Sequence, residues 1–312
     1  MKNHLTFLLV LFTSFIVNAT TWDEPWQKEI IQKSDCFVYG SVVQANDTVA
    51  TVSVIKSFGR SLTGQIKIDG FFMLKLCSMS GGHGPKLHFK KGYEGYFFLK
   101  KGNNGNYMIP TPSSGFDMVV DGAVHATYRH TYHKASVNPK VYEMTYSQIW
   151  NHYHNKKVND TEIKKFIVEY LSKPVVGLEE DEQDLFFNQH VALETAYLLN
   201  IPVDFEMLKK FAESENYHPQ ISAMRCMGIQ NTSEAKKYII SYIQREDKSS
   251  FSKVMGIEGL IASGDKKYIK QLINIKDKVS NEETGFGGSI MDPRVCTYVP
   301  SPREVIETTL GK

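Results

Sequence analysis

The periodicity of apolar residues changes once along this chain, near residue 140, and that change constrains the fold more than any other feature. Between about Cys36 and Tyr132, short runs of β-branched and aromatic residues end at turns, which is typical of strands. From about Thr145 to Leu310, apolar residues recur every three or four positions, as in amphipathic helices. The pattern predicts a β module followed by a helical array.

An apolar segment near the start predicts export. Lys2 supplies a positive charge, thirteen mostly apolar residues follow from Leu5 to Val17, and Ala19 ends a small-residue cleavage pattern. Thirteen residues are fewer than the roughly 20 that a membrane-spanning helix needs, although an uncleaved anchor is the alternative. We therefore expect a cleaved signal peptide over residues 1–19 and a secreted or periplasmic mature chain without a transmembrane segment.

Strand and turn patterns in the first half predict a sandwich or a closed barrel. Residues 34–43 are rich in β-formers, and residues 48–58 alternate between two sets of side chains, as a strand with one buried face does. Asp69 and Gly70 form a turn dipeptide that commonly joins hairpin strands. Short strands at this spacing are typical of all-β sandwiches and barrels.

Three segments of this half resemble the netrin-like, OB-type barrel, a group that includes the tissue inhibitors of metalloproteinases. The segments are Ser-Asp-Cys-Phe-Val-Tyr-Gly-Ser-Val-Val at 34–43, the strand that ends in Lys56-Ser57-Phe58-Gly59, and Lys91-Gly92 ahead of Tyr-Phe-Phe-Leu at 96–99. The resemblance covers about residues 34–120 and implies an OB-like fold. Those inhibitors act through a cysteine at the mature N-terminus, whereas the first cysteine here is Cys36. The resemblance therefore carries over the fold and no functional residue.

The second half predicts helices that come in pairs. The predicted pairs are 190–200 with 204–212, 219–227 with 231–243, and 251–262 with 265–275. Equivalent apolar positions, such as Val191, Ile221 and Val254, recur about 30–33 residues apart. This spacing resembles that of HEAT-type α-solenoids, in which helix pairs stack side by side. Ahead of the pairs, Thr145 and Gln148 fit a capping box, which predicts a helix start.

Together these patterns predict an α+β multidomain chain, with an N-terminal OB-like β-barrel followed by C-terminal HEAT-like helical repeats. The predicted segments are a signal peptide at 1–19, an OB/netrin-like barrel domain at 20–138, connecting helices at 139–180 and a HEAT-like repeat domain at 181–312.

The four cysteines permit two disulfides in an exported chain. Two lie in each half, so the simplest prediction pairs Cys36 with Cys77 and Cys226 with Cys296. Buried free thiols are the alternative. No Cys-x-x-Cys spacing is present, so redox catalysis and structural zinc have little support.

Two glycine-rich irregular segments, 78–85 and 285–294, have the composition of binding loops, since glycine lets the backbone approach a ligand. Exposed aromatic residues on the second helix of each pair are further candidates. The candidate binding residues are His83, Tyr242, Asp292 and Arg294. The structural alternatives are a connecting loop, a core tyrosine and a segment that caps the helical array.

A cluster of histidines raises a metal hypothesis. His125, His130 and His133 lie in one polar, aromatic stretch. On a strand, His125 and His133 share a face while His130 points the opposite way, and no His-Glu-x-x-His pattern is present. The spacing favours polar histidines at a domain junction, and we expect no metal and no cofactor.

The sequence favours an exported, non-catalytic binding or scaffold protein whose partner is another protein or a glycan. No nucleophile or phosphate motif is strong enough to name a reaction, and a net charge of +2 does not favour nucleic acid. An aromatic content of 12% suits contact with a macromolecule. The alternatives are a metal-dependent hydrolase that uses the His125–His133 region and a protease-inhibitor-like barrel, so an enzymatic role stays open.

Cleavage after Ala19 is directly testable. The intact mass of the exported protein should correspond to a chain that begins at Thr20 or Thr21, because the small residues end there. A mature species that retains Met1 would contradict this prediction.

Overall fold

The computed structural model describes residues 22–23, 25–46, 48–69, 89–111, 114–130, 133–282, 295–296 and 299–310, with the backbone alone for 22–23 and 295–296. The strands are β1 (Trp22–Asp23), β2 (Cys36–Ala45), β3 (Val49–Ser57), β4 (Gln65–Asp69), β5 (Glu94–Lys101), β6 (Tyr107–Met108), β7 (Phe116–Val120), β8 (Ala123–Thr127), β9 (Lys134–Val137) and β10 (Val295–Cys296). The helices are α1 (Gln27–Lys33), α2 (Pro139–Tyr153), α3 (Thr161–Leu171), α4 (Gln183–Leu198), α5 (Phe205–Ala212), α6 (Tyr217–Ile229), α7 (Ser233–Tyr242), α8 (Ser250–Ala262), α9 (Lys266–Ile275) and α10 (Pro302–Leu310). Within these ranges, no helix is both long and apolar enough to cross a membrane.

Five strands close into a barrel. β2 pairs with β3, β3 with β4, β4 with β6 and β6 with β5, and β5 returns to β2. The β4–β6 pair is parallel and the others are antiparallel. From β5 the sheet continues through β7, β8 and β9. The predicted α+β class with an N-terminal barrel is confirmed.

Strand β2 is buried on both of its faces. Successive side chains of a strand point to opposite sides. Cys36 and Val38 therefore pack inside the barrel, while Phe37 between them packs outside. Strand β5, which pairs with β2, is also buried on both faces, with Phe97 inside the barrel and Phe98 outside it. A barrel wall covered on both sides explains why these strands read as nearly continuous apolar runs.

Helix α2 covers the outer face of the barrel. Tyr142, Tyr146 and Trp150 follow one another at single-turn intervals, so all three side chains lie on one face of the helix. Their rings lie 6.4, 5.9 and 5.7 Å from that of Phe37, measured between centroids. The helix and the outer wall thus share one aromatic layer.

The start of α2 differs from the sequence prediction. The Asn138 side chain accepts a hydrogen bond from the backbone N–H of Lys140 at 2.9 Å, and Pro139 is the first helical residue. Proline suits that position because the N–H it lacks has no partner there. The capping box predicted at Thr145 is wrong: this residue lies inside α2, and its hydroxyl lies 2.6 Å from that of Tyr128.

The helices from α4 onward form two layers. The predicted pairs correspond to α4 with α5, α6 with α7 and α8 with α9, although α4 begins earlier than predicted, at Gln183. The first helices contact one another in succession from α4 to α6, α8 and α10, and the second helices pack against them. Because α6 and α8 are covered from several sides, most of their residues are buried.

Two glycines set the spacing of α6 and α8. A Cβ atom added to Gly228 would lie 2.9 Å from the Cα atom of Gly259, which is closer than real side chains approach a backbone. The helices therefore touch backbone to backbone at this crossing. Any larger residue at either position would push the two helices apart.

One apolar core runs through both halves of the chain. It joins Ile30 of α1, Phe98 of β5, Trp150 of α2, Leu193 of α4 and Ile257 of α8. A second core fills the barrel interior. Strand gives way to helix between β9 and α2, but the division into domains at 20–138, 139–180 and 181–312 stays a prediction.

Cys36 and Cys226 are free and buried, so the disulfides predicted at these two cysteines are not formed in the structure. Cys36 fills the barrel core, and the Cys226 thiol donates to the carbonyl oxygen of Leu193 at 2.9 Å. Burial raises the pKa of both thiols, and both behave as small core residues. Cys77 and the side chain of Cys296 lie outside the described residues.

The burial of Phe37 in the aromatic layer predicts how much its truncation lowers the stability of the fold. Phe37 is fully buried and stacks on Phe98 with ring centroids 4.5 Å apart, so Phe37→Ala should lower the free energy of unfolding by about 3–5 kcal/mol. Ile55→Ala is the matched control, because Ile55 is 58% exposed on the neighbouring strand β3, and it should change the value by less than about 0.5 kcal/mol. Chemical denaturation measures the free energy of unfolding of both variants. An equal decrease in the two would contradict a stabilising role of the aromatic layer.

Candidate functional site

Buried charges meet where the barrel joins the helical array. Glu194 of α4 is fully buried, and Arg129, which follows β8, and Arg225 of α6 are 2% and 5% exposed. The Arg129 Nη1 atom lies 3.9 Å from Glu194 Oε1, and the Arg225 Nη1 atom lies 3.6 Å from Oε2. Both distances are too long for good hydrogen bonds. Burying charge is costly unless it is well paired, so this cluster is unusual for a core.

The Glu194 carboxylate has a hydrogen-bond partner on one side only. The Ser222 hydroxyl donates to Oε1 at 2.6 Å, and Arg129 in turn donates to the Ser222 hydroxyl at 3.2 Å. The other oxygen, Oε2, is buried and accepts no hydrogen bond from any residue that the structure describes. A buried polar group left half satisfied calls for a physical reason.

Three imidazoles pack against this cluster. The ring centroid of His133 lies 4.1 Å from that of His190 and 4.3 Å from that of His218. The Nε2 atoms of His133 and His190 are buried, and neither has a hydrogen-bond partner in the described part of the chain. Burial lowers the pKa of both well below the usual value, and the positive charge of Arg129 acts in the same direction. Burial, assisted by Arg129, also lowers the pKa of His218 to about 4.

The imidazoles do not form a metal site in this arrangement. The rings of His133 and His218 are stacked, with an interplanar angle of 19°, so their in-plane lone pairs do not converge on one point. Among the described residues, no group of three His, Cys, Asp or Glu side chains has the geometry to hold a metal ion. His125, paired with His133 in the hydrolase hypothesis, is exposed on β8 opposite Ser136, whereas His133 is buried.

Arg225 packs against two aromatic rings. Its guanidinium carbon lies 4.1 Å from the ring centroid of Tyr197 and 4.8 Å from that of Trp26. Aromatic faces attract cations and restrict their motion. Within the described ranges, the Nε and Nη1 atoms of Arg225 nevertheless have no hydrogen-bond partner, and Nη1 has only the 3.6 Å ion pair with Glu194. Arg225 is thus held in place with donors unused.

The cluster carries an excess of positive charge. Two guanidinium groups face one carboxylate, while the low pKa values keep the histidines neutral at pH 7. The next acid is Glu258 of α8, which forms no ion pair within 4 Å with any described residue. Restricted hydration raises the pKa of its carboxyl, although Arg225 acts to lower it. Among the described residues, the second guanidinium therefore has no counter-ion within 4 Å beyond the shared Glu194, and Glu258 acts on Arg225 from a longer distance.

A half-open pocket of about 420 Å³ adjoins Arg225. It lies where the C-terminal ends of α4, α6 and α8 meet. The residues that line it include Tyr197, Arg225, Gly228, Asn231, Glu258 and Gly259. The two glycines that bring α6 and α8 into backbone contact form part of the pocket wall. The buried charge thus has an opening to solvent.

Tyr242, one of the binding residues predicted from sequence, does not line this pocket. Tyr242 is 1% exposed, and its hydroxyl lies 2.9 Å from that of Ser252. It therefore packs in the core of the array and does not line the pocket. His83, Asp292 and Arg294 lie outside the described residues.

Sequence reasoning missed Arg225 and Glu258. One signal was available for Arg225, because it interrupts an apolar run on α6 between Met224 and Cys226, and arginine is rarely fully buried unless it is paired. Glu258 gave no such signal, since an acid on a helix is ordinarily a solvated residue.

Comparison of the chain with models of known protein families, with curated proteins and with solved structures finds no significant match.

The buried histidines predict how stability depends on pH. Unfolded histidine titrates near pH 6.5, whereas the pKa of His218 is about 4 and those of His133 and His190 are also lowered. The unfolded state therefore binds more protons below pH 6.5, and the free energy of unfolding should fall as the pH drops from 6.5 towards 4, by about 1.4 kcal/mol per pH unit from His218 and further in the same direction from His133 and His190.

Two variants isolate that effect. His218→Gln should make the loss less steep, because one titrating group is removed. His125→Gln should leave the profile unchanged, since His125 is exposed on β8. Urea unfolding at several pH values measures the slope, and a flat profile between pH 6.5 and 4.5 would contradict the prediction.

Proposed function

We propose that this chain is an exported, non-catalytic binding protein that receives a group of its partner in the pocket between α6 and α8. The observation that carries the proposal is Arg225, a nearly buried cation beside an open pocket of about 420 Å³, whose Nε and Nη1 atoms have no hydrogen-bond partner among the described residues. Ligand sites typically occupy roughly 300–1,000 Å³ and combine apolar walls with a few fixed polar groups. The partner proposed is another protein or a glycan.

The architecture supports a scaffold for such a site. The strand order β2-β3-β4-β6-β5, closed by β2 and with β4–β6 as its parallel pair, supports an OB-type barrel, and we propose a netrin-like barrel on that basis. Successive helix pairs in two layers support a HEAT-like array. Such arrays commonly bind macromolecules on extended surfaces.

The pocket chemistry supports binding more than catalysis. A nucleophile needs a base within hydrogen-bond reach. Ser263, which lines the pocket, donates its hydroxyl to the carbonyl oxygen of Leu260 at 2.7 Å instead. Tyr197 and Arg225 are engaged with each other, and Glu258 has no ion-pair partner within 4 Å among the described residues. The walls can hold a ligand, and their groups are not arranged as an acid–base pair.

A capture experiment tests the proposal. Crosslinking and pull-down from the native exported fraction, followed by mass spectrometry, should recover a protein or glycan partner with the unmodified chain. Ala262→Trp should reduce the recovery several-fold, because Ala262 lines the pocket and is exposed near the end of α8, so an indole there fills the space without disturbing the core.

Ser61→Trp is the matched control, since Ser61 is exposed on the barrel and does not line the pocket. It should leave the recovery unchanged. Melting temperatures close to that of the unmodified chain would show that both variants fold. Equal recovery with Ala262→Trp and with the control would contradict the pocket as the binding site.

A further inference from the structure

We propose that acid opens the contact between the barrel side of the molecule and the helical array. This contact, which we call the junction, brings Arg129 after β8 and His133 before β9 against α4 and α6. Protonation of three buried imidazoles, those of His133, His190 and His218, would separate its two sides while the barrel stays folded. The inference concerns a response of the fold to pH, and it does not depend on the identity of a partner.

The first argument is the hydrogen bond that joins Arg129 to the start of α6. The Nη2 atom of Arg129 lies 3.3 Å from Nδ1 of His218, and its Nη1 atom donates to the backbone carbonyl oxygen of His218 at 3.3 Å. An arginine side chain only donates hydrogen bonds, so the network assigns Nδ1 of His218 as an acceptor without a proton. A proton added there would place two donors face to face. Protonation of His218 therefore breaks a hydrogen bond across the junction.

The second argument is the tautomer of His190. The Ser222 hydroxyl donates its one proton to Glu194 Oε1 at 2.6 Å, and Ser222 Oγ lies 3.4 Å from Nδ1 of His190. Nδ1 is therefore the donor of that second contact, and the lone pair of His190 lies on Nε2. A proton added at Nε2 would make a buried donor that has no hydrogen-bond partner among the described residues. An imidazolium at His133 would have the same fault at its own Nε2, and a buried donor without an acceptor is destabilising.

The third argument is the charge around the three imidazoles. The other charged and titratable groups on the elements that meet there are Arg129 after β8, Lys134 of β9 with its partner Asp117, Glu194 of α4, and Tyr217 and Arg225 of α6. Glu194 is the acid of this set that lies in the cluster, and two guanidinium groups already share it. An imidazolium would therefore add a third positive charge beside one carboxylate. Burial, and after it the neighbouring positive charge, lowers the pKa of all three imidazoles, that of His218 to about 4.

The junction can open without unfolding the barrel. The barrel has a core of its own, and His133 lies just ahead of β9, the last strand of the sheet. A cavity of about 10 Å³ adjoins His190 and His218, which is about the space that one water molecule needs. The closed junction therefore has little water to solvate an added charge, whereas the open junction would expose the imidazoles to solvent. Acid thus favours the open form.

Hydrogen exchange followed by NMR tests the inference on the full mature chain. Three amides border the junction: that of Gln27, which donates to the Arg129 carbonyl oxygen at 3.0 Å, and those of His133 and His218. Their protection, corrected for intrinsic exchange, should fall at least about twentyfold between pH 7 and pH 5, because His218 alone titrates near pH 6.5 when exposed and at about 4 when the junction is closed. In low urea their exchange should depend little on the denaturant, as expected of a local opening.

The amides of Phe37 and Phe98 in the barrel are the internal control, since both strands pair along their length and are buried on both faces. At pH 5 they should keep at least about tenfold more protection than the junction amides, because their exchange needs a larger opening. Their exchange should also rise steeply with urea, since a larger opening exposes more surface.

A matched pair of variants identifies the group that responds to acid. His218→Asn keeps an oxygen that can accept from Arg129 and cannot take a proton, so the loss of protection between pH 7 and pH 5 should be smaller by about twentyfold. His125→Asn is the control, since His125 is exposed on β8, and it should leave the loss unchanged. The pH profile of the unmodified chain decides the question even if His218→Asn does not fold.

Three outcomes would overturn the inference. They are constant protection of the junction amides between pH 7 and pH 5, an equal loss with equal urea dependence in the barrel amides, and a loss in His218→Asn as large as that in the unmodified chain. The second of these would show that acid causes global unfolding only. Failure of the capture experiment at pH 7, where the junction is closed, would instead contradict the proposed function and leave this inference standing.

Discussion

The fold depends on the burial of β2 and β5 on both of their faces. Phe37 and Phe98 stack on the outer face with ring planes 1° from parallel, while Val38 and Phe97 fill the barrel on the inner face. A shift of either strand by one residue would exchange these two sets. The barrel core and the core beneath the helices would be lost together, so one strand register holds both layers in place.

Two buried carboxylates, those of Asp117 and Glu194, differ in how completely their oxygens are hydrogen-bonded. Asp117 accepts hydrogen bonds from the Thr127 hydroxyl at 2.9 Å, from Lys134 at 3.0 Å and from the Tyr142 hydroxyl at 2.8 Å, and so ties β7, β8, β9 and α2 together. Glu194 accepts a hydrogen bond on one oxygen only from the residues that the structure describes. A fully satisfied buried network stabilises a fold, whereas a half-satisfied one is the usual exception at a functional site. The contrast is why the pocket beside Arg225 is the candidate site.

Local sequence patterns predicted most of the elements correctly. They failed at the start of α2, where two capping patterns competed, and at the cysteines, where disulfide formation competed with burial as free thiols. The helix predicted at 251–262 is α8, which begins one residue earlier, at Ser250. The predicted start at Thr145 failed because Asn138 followed by Pro139 is the cap that the chain uses. Disulfides were expected from an even number of cysteines, but Cys36 and Cys226 pack as small apolar residues instead. A count of cysteines carries no information about burial.

The sequence by itself determined the α+β class and, to within two residues, the bounds of the helices from α5 to α9, because these depend on neighbours two to four residues apart. Only the tertiary structure decided which charged residues meet. Glu194 and Arg225 stand on different helices, and they come together because α4 packs on α6. His133 meets His190 and His218 for the same reason, since β9 packs on α4. Periodicity fixes which face of a helix is buried, and the packing of that face fixes which residues it meets.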